Sequence, residues 1–223
     1  MSFAQVDQVT IGGATLSSQY FSVAEIGPRQ QYNPFRFTRR QETQGFIGYE
    51  LPARFAVTVD YAAGRMILRA ADPRSAAAPG GTSVPLTFDG TIPNVKCGIS
   101  GVDADCMLDT GAATAIALTK PFVDAHPGVK PQWFSRVGYI ASGLGGLSKG
   151  QVGPLASFQV GSQTLHDIET IFSVDDKGML ADPLHAGLVG NPVWEHFTLT
   201  LDYRDATLSL VPVTTTVRAL HSW

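Results

Sequence analysis

Charge is scarce in this chain: 16% of its 223 residues are Asp, Glu, Lys or Arg, and the formal net charge is −3. A globular domain ordinarily carries roughly 25% charged residues. A low, nearly balanced charge excludes both a disordered acidic tail and a basic nucleic-acid-binding module, so no nucleic-acid partner is expected. Cysteine is limited to two residues, which excludes a disulfide-built scaffold, while 44% hydrophobic residues supply an ordinary core. A chain of this length buries about 70% of its unfolded surface, enough for one large or two small cores. No apolar run approaches the roughly 20 residues that cross a bilayer. Residues 1–10 (MSFAQVDQVT) lack the basic and apolar regions of a signal peptide. As written, the chain is expected to be soluble, with no membrane partner and no export address, and its compartment stays unknown.

Helical periodicity is scarce as well. Only residues 118–125 (LTKPFVDA) and 192–196 (PVWEH) read as short helices, the second with Asn191 as N-cap and Pro192 at the first helical position. Strand signals dominate instead. Short runs rich in branched or apolar residues occur at 84–88, 95–99, 105–108, 158–160, 198–201 and 207–211, mostly bounded by Gly, Pro or Asp. The expected class is mainly β. Residues 70–83 (AADPRSAAAPGGTS) are small, polar and rich in Pro and Gly, and read as a linker.

An internal repeat organises the chain. Residues 45–68 set over 187–210, a constant offset of 142, are identical at seven of 24 positions, among them Phe55/Phe197, Thr58/Thr200, Asp60/Asp202 and Tyr61/Tyr203. A weaker echo relates 11–16 (IGGATL) to 160–165 (VGSQTL). The expected organisation is a partial first unit at 1–69, a linker at 70–82, a complete second unit at 83–213 and a tail at 214–223. Asp60 and Asp202 each precede a Tyr and a turn, so hairpin geometry accounts for both.

The second unit contains Met107-Leu108-Asp109-Thr110-Gly111-Ala112, a carboxylate delivered by an apolar strand into a Thr-Gly turn. The strand end holds the acid, Gly111 lets backbone approach closely, and Thr110 can hydrogen-bond locally. Further on, Gly187-Leu188-Val189-Gly190 offers two apolar residues and a glycine to pack behind that loop. Between them lies 136–152 (RVGYIASGLGGLSKGQV), two extended arms around a glycine-rich tip.

These elements in this order resemble the retropepsin-like branch of the aspartic proteases, particularly bacterial members with two lobes in one chain. The resemblance spans 83–212 and, as the latter part of a preceding lobe, 9–69. It implies a β-barrel lobe with Asp109 as catalytic acid and with Thr110, Gly111 and Ala112 supporting its loop. Leu188, Val189 and Gly190 would form the strand behind it. A flap would carry Tyr139, Gly143, Leu144, Gly145 and Gly146, and the function implied is peptide-bond hydrolysis of a polypeptide without metal or organic cofactor. That chemistry needs two carboxylates, because adjacent acids cannot both ionise cheaply and one stays protonated while the other acts as base. The spacing from Asp109 to Gly187, counted back from Gly45, falls upstream of Met1. The first 69 residues hold Asp7 and Asp60 only, neither in an Asp-Thr/Ser-Gly motif. The resemblance therefore implies a second acid from an upstream segment of a longer form, exported or periplasmic localisation being left open, or from a second copy as a dyad of two Asp109 residues. The competing class is a catalytically silent binding or assembly module.

Other motifs carry less. Residues 146–150 (GLSKG) match Gly-x-Ser-x-Gly, but a nucleophile elbow needs a helix next, and 151–160 has two breakers and no helical period. Neither Gly143-Leu144-Gly145 nor Lys149 completes a phosphate-binding motif. His126, His166, His185, His196 and His221 have no i,i+4 pairing and no cysteine nearby, so no metal site is expected and surface or turn positions are. The basic run 29–40 reads as a solvated loop. If residues 100–103 formed a two-residue hairpin, Cys97 would lie opposite Cys106, and a cross-strand disulfide and two buried thiols fit equally well.

Overall fold

The computed structural model describes residues 2–23, 45–70, 81–133, 137–143 and 146–213. The basic run 29–40, the flap residues Leu144 and Gly145, His221 and the tail 214–223 lie outside them, as does most of the linker. The chain forms two compact units, Met1–Arg39 and Arg40–Trp223.

The first unit is a hairpin of β1 (Ser2–Ile11) and β2 (Ala14–Val23), turned by Gly12 at a φ of 57°. Positive φ suits a residue without Cβ, and the tight turn sets the Ile11↔Ala14 register.

In the second unit, β3 (Phe55–Asp60) and β4 (Arg65–Ala70) form one hairpin. Then come β5 (Thr82–Asp89), β6 (Ile92–Ile99), β7 (Val102–Asp109) and β8 (Ile116–Leu118). Helix α1 (Lys120–Ala125) precedes the long strands β9 (Gly138–Gly143), β10 (Gly146–Val160) and β11 (Gln163–Ser173). The chain finishes with β12 (Gly187–Gly190), helix α2 (Asn191–Trp194), β13 (Phe197–Asp202) and β14 (Thr207–Pro212). These twelve strands hydrogen-bond in the order β4-β3-β13-β14-β5-β6-β7-β12-β8-β11-β10-β9. A further β10–β6 pairing, Phe158↔Ile99 to Val160↔Cys97, closes the run from β6 to β10 into a barrel. The mainly β class and the barrel lobe expected from the sequence are what the chain adopts.

Inward-facing alternate residues fill the barrel. Ile99, Ile116, Leu118, Leu155 and Phe158 are fully buried, and Phe172, Val189, Val193 and Trp194 join them. Each large apolar side chain of this kind contributes roughly 1.5–3 kcal/mol of transfer free energy. Trp194 is fully buried because its one polar atom is satisfied: Nε1 donates to the Val189 carbonyl at 2.8 Å.

The repeat is visible in the pairing. β3 and β13 run antiparallel with Thr58 opposite Thr200, and the β3–β4 and β13–β14 hairpins share one register under the 142-residue offset. A local twofold therefore passes through the Thr58–Thr200 pair. Asp60 accepts from the Ala63 N–H and the Arg65 side chain, and Asp202 accepts from the Arg204 and Asp205 N–H groups. Both acids brace turns. β3 and β4, on the N-terminal side of the linker, join the sheet of the strands that follow it.

Three local readings differ from expectation. The β6–β7 turn is centred on Ser100 and Gly101, both at positive φ (47° and 85°), rather than on Gly101 and Val102 as a two-residue hairpin over 100–103 requires. Cys97 accordingly faces Ala104, and Cys106 faces Val95. The two cysteines are diagonal neighbours, still close enough at a Cα separation of 6.0 Å to form the disulfide present here. The first helix starts at Lys120, because Leu118 is claimed by β8 and the Thr119 hydroxyl caps the Phe122 N–H. In α2, Asn191 is the first helical residue, with Gly190 rather than Asn191 at the cap.

Candidate active site

Asp109 is the last residue of β7, half-buried, while Cys106, Met107 and Leu108 behind it are buried. The strand therefore anchors the acid in the core and leaves its carboxylate at the barrel rim. Gly111 N–H donates to Oδ1 at 2.8 Å, and Ala112 N–H reaches the Asp109 carbonyl at 3.3 Å. The first bond fixes the carboxylate against its own loop, and the second closes the main-chain turn. A Cβ on Gly111 would sit 3.2 Å from that oxygen, tighter than ordinary contact. Thr110 is exposed, and the brace comes from the Gly111 amide.

β12 threads between β7 and β8, strands joined directly by the loop at 110–115. It runs parallel to β7, pairing Leu188 with Met107, Val189 with Leu108 and Gly190 with Asp109, and antiparallel to β8. Strand and loop are stitched together: Gly190 N–H donates to the Ala115 carbonyl at 2.8 Å and Asn191 N–H to the Ala112 carbonyl at 2.9 Å. A Cβ on Gly190 would collide with the Thr114 carbonyl and lie 2.9 Å from the Ala112 oxygen. One on Gly187 would run into the Ala117 carbonyl. Only glycine lets β12 lie this close to the Asp109 loop.

β9 and β10 pair antiparallel from Gly143↔Gly146 to Gly138↔Gly150, with a register shift at Ser148/Lys149. Tyr139, Gly143 and Gly146 thus lie on the arms of one hairpin. Ser148 stands in a strand that continues to Val160, so the Gly-x-Ser-x-Gly run is no elbow. The Lys149 N–H is held by both oxygens of Asp175 at 3.1 and 3.2 Å.

Sequence reading missed one polar cluster. His185, expected at the surface or in a turn, is buried, its Nδ1 lying 2.7 Å from Asp182 Oδ2. The Leu184 N–H, and then His185, hold the Asp182 carboxyl below its ordinary range. The His185 carbonyl accepts from the buried Thr119 hydroxyl at 2.9 Å, and Ala186 N–H donates to the Asp105 carbonyl at 2.8 Å. The cluster ties the entry of β12 to α1 and β7. An Asp-Pro-Leu-His run carries no periodic signal for this, because its partners come from distant segments.

No known protein family matches the sequence, and no curated protein does. Among solved structures, the chain is similar to a retropepsin-like aspartic protease from Rickettsia conorii, at 22% identity over 59% of this chain and 89% of that one, with a TM-score of 0.41. It is also similar to the aspartic proteinase from Irpex lacteus, at 13% identity over 69% of this chain and a TM-score of 0.40. The match spans about half of that protein, 53%. Likenesses this distant decide neither activity nor substrate, and the chemistry rests on the geometry around Asp109.

Proposed function

We propose that the chain carries one half of an aspartic endopeptidase site, with Asp109 as one of two carboxylates that activate a water for attack on a peptide bond. The observation that carries this reading is the placement of Asp109. A carboxylate at a rigid strand end, with one oxygen held by the Gly111 amide, keeps its other oxygen for a water or a second acid. Once paired, the two acids share a proton: the ionised one takes a proton from water while the protonated one donates to the substrate carbonyl. Titration then belongs to the pair. The substrate is an extended polypeptide bound through main-chain hydrogen bonds, and the β9–β10 hairpin, with Tyr139 and the glycine tip, acts as the lid that excludes water.

Asp60 does not supply the second acid, since its carboxylate is taken up by the turn at Ala63 and by Arg65. A second copy is the poorer source too. The edge of β13, where a symmetry mate would pair, is filled by β3 of the same chain. A segment completing the N-terminal unit is the better supported partner.

The test is cleavage of an unfolded protein at acidic pH by the chain supplied with its upstream segment. Activity lost in Asp109→Asn and blocked by a transition-state peptide mimic supports the proposal. A folded, fully assembled protein that cuts nothing at any pH would establish the silent module instead.

A further inference from the structure

The outer face of β6 and β7 carries a recess of about 260 Å³ that the Asp109 site does not use. Its wall is built from the end of β5, from Asn94 and Lys96 of β6, from Asp105 of β7, and from Leu184 and His185 ahead of β12. Asn94 and Lys96, opposite Met107 and Asp105, alternate along their strands with Val95 and Cys106, which belong to the barrel core. At strand rise the recess lies about 13 Å along β7 from Asp109. It is smaller than the roughly 300–1,000 Å³ of sites for drug-sized ligands, so it takes one small group.

Hydrogen-bond capacity in this recess is lopsided. Asn94 is 3% exposed; its Nδ2 donates to the Ile92 carbonyl at 3.1 Å, and its buried Oδ1 has no donor among the described residues. A buried side-chain oxygen left this way is rare in folded proteins. His185 is buried too, with Nδ1 against the Asp182 carboxylate. That carboxylate, held below its ordinary range, is ionised near neutral pH and only accepts, so Nδ1 carries the ring proton. Nε2 of the neutral ring is then an acceptor, again with no donor among the described residues. At the rim Asp89 is exposed and meets no cation among the described residues, and Lys96 is taken by Asp105 at 2.8 Å. All three unfilled positions are acceptors, one of them a carboxylate. Leu184, 73% exposed, and the half-buried Phe88 add apolar surface at the mouth.

We propose that this recess binds a primary alkylammonium group, its N–H donors shared among Asn94 Oδ1, His185 Nε2 and the Asp89 carboxylate, and its alkyl stem lying against Leu184 and Phe88. An ammonium offers three donors and no acceptor, which matches what the recess leaves unfilled. Among the described residues no three His, Cys, Asp or Glu side chains converge to hold a metal ion, so an organic cation is the better match. The same head group comes on a free alkylamine or on a lysine of a polypeptide. The inference stands apart from the peptide-cleavage reading, since Asp109 takes no part in it.

The probe is n-pentylamine, titrated into the full chain at about pH 8, where an imidazole is neutral and a primary ammonium stays charged. The Asn94 side-chain amide and the His185 ring are followed by nuclear magnetic resonance. Both should shift together and saturably, with a midpoint on the order of millimolar for so small a ligand. n-Pentanol, the same stem without the charge, should shift neither. Asp89→Asn, an exposed change, should weaken binding by about fivefold or more, and Asn94→Leu should abolish it. The proposal is overturned if the shifts do not saturate by about 50 mM, if pentanol matches the amine, or if Asp89→Asn binds as tightly as the unaltered chain. Nα-acetyl-lysine amide separates the sources: binding within about threefold of pentylamine identifies a lysine side chain, and no binding beside a responsive amine identifies a free alkylamine. Asp109→Asn should bind the amine like the unaltered chain, so loss of proteolysis and loss of amine binding are separately readable.

Discussion

Thr58 and Thr200, 142 residues apart, hydrogen-bond to each other through their hydroxyls at 2.8 Å. They occupy the same place in the two repeats, so the contact joins a position to its own image across the local twofold. Symmetry makes each hydroxyl the other's partner, and one donates while the other accepts.

Removing one of the two strands the other. Thr58→Val or Thr200→Val alone is expected to cost about 1–2 kcal/mol, because the surviving hydroxyl loses its partner in a part-buried place. The double substitution should cost less than the two singles summed, giving a coupling of about 0.5 kcal/mol or more. Urea denaturation of the four proteins measures it.

Gly190→Ala should be severe. The added methyl meets the carbonyls of Thr114 and Ala112, in a loop tied to Gly190 through Ala115 and to Asn191 through Ala112, so the strand must leave β7 or the Asp109 loop must move. A loss of about 3 kcal/mol or more is expected, whereas Gly128→Ala, facing open space, should stay within about 0.5 kcal/mol. Thermal unfolding separates them, and near-ultraviolet circular dichroism of Trp194, which bonds to Val189, would register displacement of β12.

Reduction of Cys97–Cys106 should lower stability by about 2–3 kcal/mol, the loop-closure value for cysteines this close in sequence, with a separation of 9. Hydrogen exchange at β6 and β7 before and after reductant checks whether the loss is local to the strands that carry Asp109.

Alkali should destabilise the protein in a defined window. Burial, assisted by Glu195, pushes the Tyr61 hydroxyl up to about 12, and burial with Tyr49 beside it does the same for Tyr203. Both stay protonated when folded, while in the unfolded chain they ionise near 10. Their contribution is therefore complete below pH 10 and disappears as pH rises toward 12. Tyrosinate absorbance should show two groups titrating late, and Tyr61→Phe should flatten part of the fall in stability.

Much of the site's local grammar was legible. The apolar run ending at Asp109 had to be a strand delivering an acid, and Leu188-Val189-Gly190 had to pack closely on something. The 142-residue repeat marked the two hairpins, and even their turn acids, Asp60 and Asp202, read correctly as turn residues. Register was harder. A turn shifted to Ser100 and Gly101 moves every partner along β6 and β7, and no local signal separates it from an equally short turn one residue later, which would place Cys97 opposite Cys106. The burial of His185 beside Asp182 was also hidden, because it is made by β7, α1 and the start of β12 together.

The sequence by itself determined the strand-rich class, the repeat and the chemical identity of the acid, because alternation, turn residues and motif spacing act over a few neighbouring positions. Tertiary structure alone decided that β12 passes between β7 and β8, that β3 occupies the edge of β13, and that β5 follows β14 in the sheet. Those outcomes depend on which distant segments meet, and hydrogen bonds between strands are indifferent to the sequence distance they close.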